Sequence, residues 1–292
     1  MVGAFFDLGT RLTGMTSTFG TDDPTRRAAF LSALTDAVQQ GSRLRAAWLE
    51  GSLGRGNADR FSDVDLHILL PEDEVPAFRA QAEAWLGRLR PLVLFNTLFG
   101  GQMINAMTAD GLRIDLWTHG GEQVEVDLEA VQILFEHPGA LTAKPPTTVP
   151  SVEATAQRLL GLIREFWRCI SLLPAVLGRR ERLVAVQGLA VELGLVTELL
   201  VTASGAVRDR GVKHLNPFLP EHLRAELEAL ILPNSLAEQA LADAHLRLAE
   251  LVRREGRNAA QAFGFEYPEL LEETALSSVH GELTVLHLSV TT

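Results

Sequence analysis

Cysteine is nearly absent from this sequence: Cys169 is the single one in 292 residues. One thiol closes no internal disulfide and cannot supply a thiolate zinc set, and it fits a reducing compartment. Cys169 lies in an apolar, helical stretch, where a free cysteine behaves as a small buried hydrophobe. The eight histidines show no pair at zinc-ligand spacing. Positive charge is scarce as well, with 26 Lys and Arg against 37 Asp and Glu and a formal net charge of −11. The deficit is shared: 12 basic against 19 acidic residues in 1–150, and 14 against 18 in 151–292. A chain that grips nucleic acid needs a basic stripe to neutralise phosphates. None is visible, which favours a small or cationic substrate over RNA or DNA. The start MVGAFFDLGTRLTGM lacks the basic start and long apolar run of a signal peptide. The longest apolar stretch, Leu183 to Ala203, is interrupted by Gln187, Glu192 and Glu198, which a membrane span rarely tolerates. The expectation is a cytoplasmic protein, monomer or homodimer, with neither membrane nor nucleic acid as partner. No internal repeat or low-complexity segment is present.

What is there is an ordinary globular composition, 47 % hydrophobic and 22 % charged, long enough for two domains. Residues 1–20 are Gly/Thr-rich and read as a loose arm. Asp23-Pro24 opens a helix running to about Gln40. Leu44 to Glu50 reads as a strand ending at Gly51, Asp63 to Leu70 as a second, and Glu74 to Leu89 as a helix. Three strand-like runs fill Pro91 to Trp117, separated by Gly100-Gly101 and by Asp110-Gly111, a hairpin signal. Residues 142–150 form the best linker, since Pro145, Pro146 and Pro150 deny it a helix or a central strand. Beyond it, Ser151–Leu173, Arg180–Ala203, Pro220–Leu232 and Ser235–Glu255 carry amphipathic helical patterns. Glu282 to Val290 alternates weakly, as a terminal strand does. The expected fold is α+β: a small mixed sheet backed by helices in 1–141, the linker 142–150, and an α-helical bundle in 151–292 that binds substrate.

The chemistry concentrates in Gly51-Ser52-Leu53-Gly54-Arg55-Gly56 and Ser62-Asp63-Val64-Asp65-Leu66. Gly51 allows a tight turn after a strand, and Gly54 and Gly56 let the main chain approach an anion. Ser52 offers an N–H and a hydroxyl, and Arg55 a fork donor for phosphate oxygens. Strand alternation points Asp63 and Asp65 to one face. Paired carboxylates repel one another, and a divalent ion resolves that repulsion; hard oxygen ligands suit Mg²⁺ held jointly with a nucleotide's phosphates. Asp115 is the lone acid in the apolar run Leu112 to Trp117. A buried acid is costly unless it has a metal or a proton to handle.

Gly-Ser, a Gly/Arg-rich loop, Ser-Asp-x-Asp and a later strand Asp resemble the nucleotidyltransferases of the DNA polymerase β superfamily. A catalytic half followed by a helical half is similar to the bacterial antibiotic nucleotidyltransferases that act on aminoglycosides and lincosamides. Short fragments support that relation: Glu165-Phe166-Trp167, Arg180-Glu181, Lys213-His214-Leu215 and Phe218-Leu219-Pro220. The resemblance implies that Ser52 binds the β- and γ-phosphates and that Asp63 and Asp65 hold metal, as two Mg²⁺ ions with a bound NTP. Asp115 then completes the metal site or takes the proton from the attacking hydroxyl. It implies transfer of a nucleoside monophosphate from an NTP, ATP first, to a hydroxyl of a small acceptor, releasing pyrophosphate. The acidic composition sets this chain apart from RNA-handling members.

Further residues carry weaker signals. Glu181 and Glu192 are eleven positions apart, nearly the same helical face, and suit a polycationic acceptor or serve as base. The plain alternative is an exposed polar stripe. Lys213 reads as a triphosphate contact or a surface lysine, and His67 as a hydrogen-bonded core histidine. Arg208 and His214 have a spacing also seen in a helical RNase family, and chance supplies it easily. A non-catalytic nucleotide sensor or toxin–antitoxin-type interaction module is the competing function class. The complete set of three carboxylates argues against it.

Overall fold

The computed structural model describes residues 24–41, 43–145, 149–206, 215–230, 233 and 235–289. The loose-arm reading of residues 1–20 falls outside these, as do Arg208, Lys213 and His214. The chain divides into two compact units, Met1–Pro146 and Thr147–Thr292.

In the first unit α1 (Pro24–Gln39) leads into β1 (Ala46–Leu49), a one-turn helix α2 (Gly51–Gly54), β2 (Val64–Leu70) and α3 (Val75–Leu89). The strands β3 (Leu92–Leu98), β4 (Met103–Thr108) and β5 (Arg113–Gly120) follow, then β6 (Val124–Val126), β7 (Gln132–Glu136) and β8 (Leu141–Ala143). Six strands form one mixed sheet in the order β3-β4-β5-β2-β1-β7, and β6 pairs with β8 in a separate parallel ribbon. Thr142 and Ala143, expected in the linker, are thus strand residues. The turn at Asp110-Gly111 closes on Gly111 N–H to the Thr108 carbonyl at 2.9 Å.

Period-two alternation makes the sheet two-faced. Val64, Leu66, Ile68, Ile104, Ala106, Ile114 and Leu116 join Phe30, Leu34 and Val38 of α1 and Ala82 and Leu86 of α3 in one core. Each fully buried Leu, Ile or Phe there contributes about 1.5–3 kcal/mol. The opposite face is covered in part by Ala46, Trp48, Leu69, Val126, Ala140 and Leu141. Next to that smaller cluster it carries polar side chains.

The second unit is helical: α4 (Val152–Ile170), α5 (Leu173–Gly178), α6 (Arg182–Ala203), α7 (Glu221–Leu230), α8 (Glu238–Phe263) and α9 (Glu269–Val285). Ser151 caps α4 by accepting the Ala154 N–H at 3.1 Å. By length and apolarity α6 resembles a membrane span. Here it lays Leu189, Val196, Leu199 and Leu200 into the bundle core. The expected terminal strand is a correction: Glu282 to Val285 end α9 instead. Ala275, Val279 and Leu283 recur every fourth residue and are buried, so helical packing overrides a short alternating pattern. The fold is α+β with a helical C-terminal part.

Candidate active site

Alternation along β2 sends Val64, Leu66 and Ile68 into the helix-side core, leaving Asp65 and His67 on the opposite face. On β5, Ile114 and Leu116 point inward, which leaves Asp115, Trp117 and His119 on that same opposite face. The two strands run parallel, with Asp65 opposite Asp115 and His67 opposite Trp117. Asp63 precedes β2 and is 9 % exposed. Ligand oxygens of Asp63, Asp65 and Asp115 lie within 4.8 Å of one another, an arrangement able to hold a metal ion. The sequence-predicted acids are thus brought together, two by strand pairing and one by the turn entering β2.

That turn is pinned by arginines. Arg27 donates to the carbonyls of Asp59 at 2.6 Å and Ser62 at 3.2 Å, and Arg113 donates to that of Phe61 at 2.9 Å. On the other side of Asp65 stands Gly51, at φ 61°. A Cβ there would come within 1.9 Å of Asp65 Oδ2, so the carboxylate lies where any side chain would be. At Gly54 a Cβ would meet the carbonyls of Ala130 at 2.4 Å and Leu49 at 2.6 Å. These close approaches are what the glycine-rich loop is for. Ser52 sits in the first turn of α2, whose N-terminus receives no side-chain cap. Arg55 ends that turn and holds a buried Nε with no hydrogen-bond partner among the described residues.

Two more side chains extend the row of acids across the sheet. Asn105 of β4 pairs with Asp115 and donates from Nδ2 to Asp115 Oδ1 at 2.6 Å. Glu50 follows β1, and its N–H donates to the Asp65 carbonyl at 2.9 Å. The Glu50 carboxylate accepts from Trp48 Nε1 at 3.0 Å and lies 3.7 Å from His67 Nε2. Trp48, His67, Trp117 and Phe99 stack in series at 5.2, 6.1 and 5.9 Å. Within this stack His67 Nδ1 and His119 Nε2 are 2.9 Å apart, so one ring donates to the other. Burial, with His119 adding to it, holds His67 down to about 3. Burial also lowers His119, against an opposing pull from Glu50. Both rings are neutral near pH 7, and His67 is a hydrogen-bonded member of the stack.

Asn105, Glu50 and Trp48 escaped the sequence reading. The signal was present: Trp48 and Glu50 share strand parity, and Asn105 is the polar residue between Ile104 and Ala106, two positions that face the core. Only tertiary pairing tells which acids they meet.

In the helical unit Glu181 and Glu192 are not brought together on an open face. Glu181 is the exposed N-cap residue of α6. Glu192 is 2 % exposed, with Oε2 2.6 Å from His245 Nδ1, and His245 Nε2 lies 3.1 Å from the Ala185 carbonyl. Ala185, Leu189 and Glu192 lie on the side of α6 that turns inward, whereas Glu181 at its start is exposed. Within this unit the Glu192 carboxylate is engaged by a histidine. Lys213 lies outside the described residues.

The sequence profile of the streptomycin adenylyltransferase family matches residues 26–280. The chain belongs to that family. Family membership makes it a nucleotidyltransferase enzyme and sets aside the non-catalytic sensor reading. Among solved structures the chain is similar to an aminoglycoside 6-adenyltransferase from Bacillus subtilis, at 15 % identity and a TM-score of 0.41. The similarity covers 87 % of this chain and 96 % of that one. No curated protein matches.

Proposed function

We propose that this enzyme moves a nucleoside monophosphate from ATP to a hydroxyl of a small cationic antibiotic of the aminoglycoside class, releasing pyrophosphate. The observation that carries the reading is the convergence of Asp63, Asp65 and Asp115 on one sheet face beside an uncapped Gly-Ser turn. The family's name supplies the adenylyl group and the streptomycin-like acceptor.

The donor set fits a hard divalent cation. It offers carboxylate oxygens only, gathered closely enough for shared ligation, and Gly51 leaves room at Asp65. Asp63, Asp65 and Asp115 would hold Mg²⁺, two ions when NTP is present. Bound there, Mg²⁺ supplies charge stabilisation to the attacking and leaving oxygens of an in-line displacement at the α-phosphorus. The chain's own groups do the rest. Ser52 and the free N–H groups of the α2 turn take the β- and γ-phosphates, with Arg55 as further donor. The neutral ring stack of Trp48, His67 and Trp117 forms an apolar floor beside the acids, which strengthens electrostatic contacts by excluding water. An acidic chain of net charge −11 attracts a polycationic acceptor and repels a polyanion.

The test is pyrophosphate release from each of the four NTPs against a panel of aminoglycosides and lincosamides. Turnover with ATP and an aminoglycoside, dependent on Mg²⁺, is expected. Turnover with lincosamides alone would overturn the acceptor assignment, and no turnover with any NTP would overturn the reaction.

A further inference from the structure

We propose that Asn105 is a positioning residue that fixes Asp115 as a metal ligand. The inference rests on the reading that Asp63, Asp65 and Asp115 hold a divalent cation. Asn105 and Asp115 are cross-strand partners on β4 and β5, and the amide donates to Oδ1 at 2.6 Å. A carboxylate can present either oxygen, or both, to a cation. The short bond from an uncharged donor occupies one lone pair of Oδ1 and restrains the plane of the carboxylate, leaving its remaining lone pairs for a cation. Asp115 is therefore held in one orientation for ligation.

The row explains why an amide occupies this place. Glu50 closes the row beyond Asp65, and its carboxylate is turned toward Trp48 and His67. Asn105 closes it beyond Asp115 with a donor. An acid at position 105 would add a further negative charge beside Asp115, and an apolar residue would leave Oδ1 without its donor. Partners of metal-ligating carboxylates typically set metal affinity or activity by about 10–100-fold.

The experiment titrates Mn²⁺ into the full-length enzyme with a non-hydrolysable ATP analogue, followed by calorimetry, for wild type, Asn105→Leu, Asn105→Ser, Asp65→Asn, Asp115→Asn and the double variant Asn105→Leu/Asp115→Asn. Asn105→Leu should weaken Mn²⁺ by about 10-fold or more, and Asn105→Ser, which keeps a donor, should recover part of the loss. On the Asp115→Asn background Asn105→Leu should add nothing, because it acts through Asp115. A residue that only stabilises the strand would lower the melting temperature without moving Mn²⁺ affinity. Unchanged affinity in Asn105→Leu, or an equal further loss in the double variant, overturns the proposal. If Asp65→Asn binds Mn²⁺ like wild type, the metal reading falls and this inference with it.

Discussion

The two units arrange their acids differently. In the helical unit both buried carboxylates among the described residues meet donors. Glu192 faces His245, and Glu272 accepts from Tyr267 at 2.6 Å and lies 3.0 Å and 3.2 Å from Arg257 and Arg253. Trp167 completes the second network by donating to the Tyr267 hydroxyl at 3.1 Å. In the sheet unit three carboxylates, one buried and two part-buried, also converge on one another, and Asp115 accepts from Asn105 as well. Buried charge with complementary partners holds helices together, and removing a partner costs stability. Converging like charges cost stability as they stand and gain it when a cation arrives. The same residue types therefore answer mutation with opposite signs, and that contrast separates a site from a scaffold.

The contrast can be broken in four places. Asp115→Asn should reduce turnover by at least about 1000-fold, the scale on which a lost transition-state contact reads out, measured as single-turnover pyrophosphate release. Wild-type turnover would remove Asp115 from the site. Gly51→Ala is expected to cost activity next most, by about 10–100-fold as displaced ligand geometry does. Its Cβ collides with Asp65 and its φ of 61° is strained for alanine. Mg²⁺ dependence of the rate should shift with it, and an unshifted dependence would mean that the loop relaxes freely.

In the helical unit the effects should appear in stability. Glu272→Gln replaces charged hydrogen bonds with neutral ones and should cost about 2 kcal/mol in urea unfolding. A neutral or stabilising result would place Glu272 with the sheet acids. Tyr267→Phe should cost about 1 kcal/mol at neutral pH. Burial, helped by the bond to Glu272, raises the Tyr267 pKa above its ordinary value. The unfolded state ionises first, near pH 10, so the contribution of the hydroxyl is full below that pH and fades above it. Wild type and Tyr267→Phe should converge in stability as pH climbs past about 10, and a constant gap would contradict the burial account.

Local rules read much of this molecule from its sequence. Gly51 to Leu66 was legible because one glycine turn and one alternating strand decide it without reference to the rest of the chain. Asp115 was legible as a lone acid in an apolar run. That Asp65 and Asp115 are register partners was not, because parallel pairing of β2 and β5 is set by the packing of the intervening chain. Asn105 and Glu50 were missed for the same reason, since their meaning is a cross-strand neighbour. β6 and β8, three residues each, carry too little pattern to register as strands. At α6 periodicity gave no sign that Glu192 faces inward, a fact that depends on His245 arriving from α8.

The most direct measurement of the central claim is the melting temperature of wild type, Asp63→Asn and Asp65→Asn, each without divalent ions and then with Mg²⁺ and a non-hydrolysable ATP analogue. Without metal, both variants should melt at or above the wild-type temperature, because each relieves repulsion among the clustered carboxylates. With Mg²⁺ and the analogue, wild type should rise well above its metal-free value while the variants gain little. Variants that melt lower than wild type without metal, yet gain as much from Mg²⁺, would show that these acids are structural and that the nucleotidyl-transfer centre lies elsewhere.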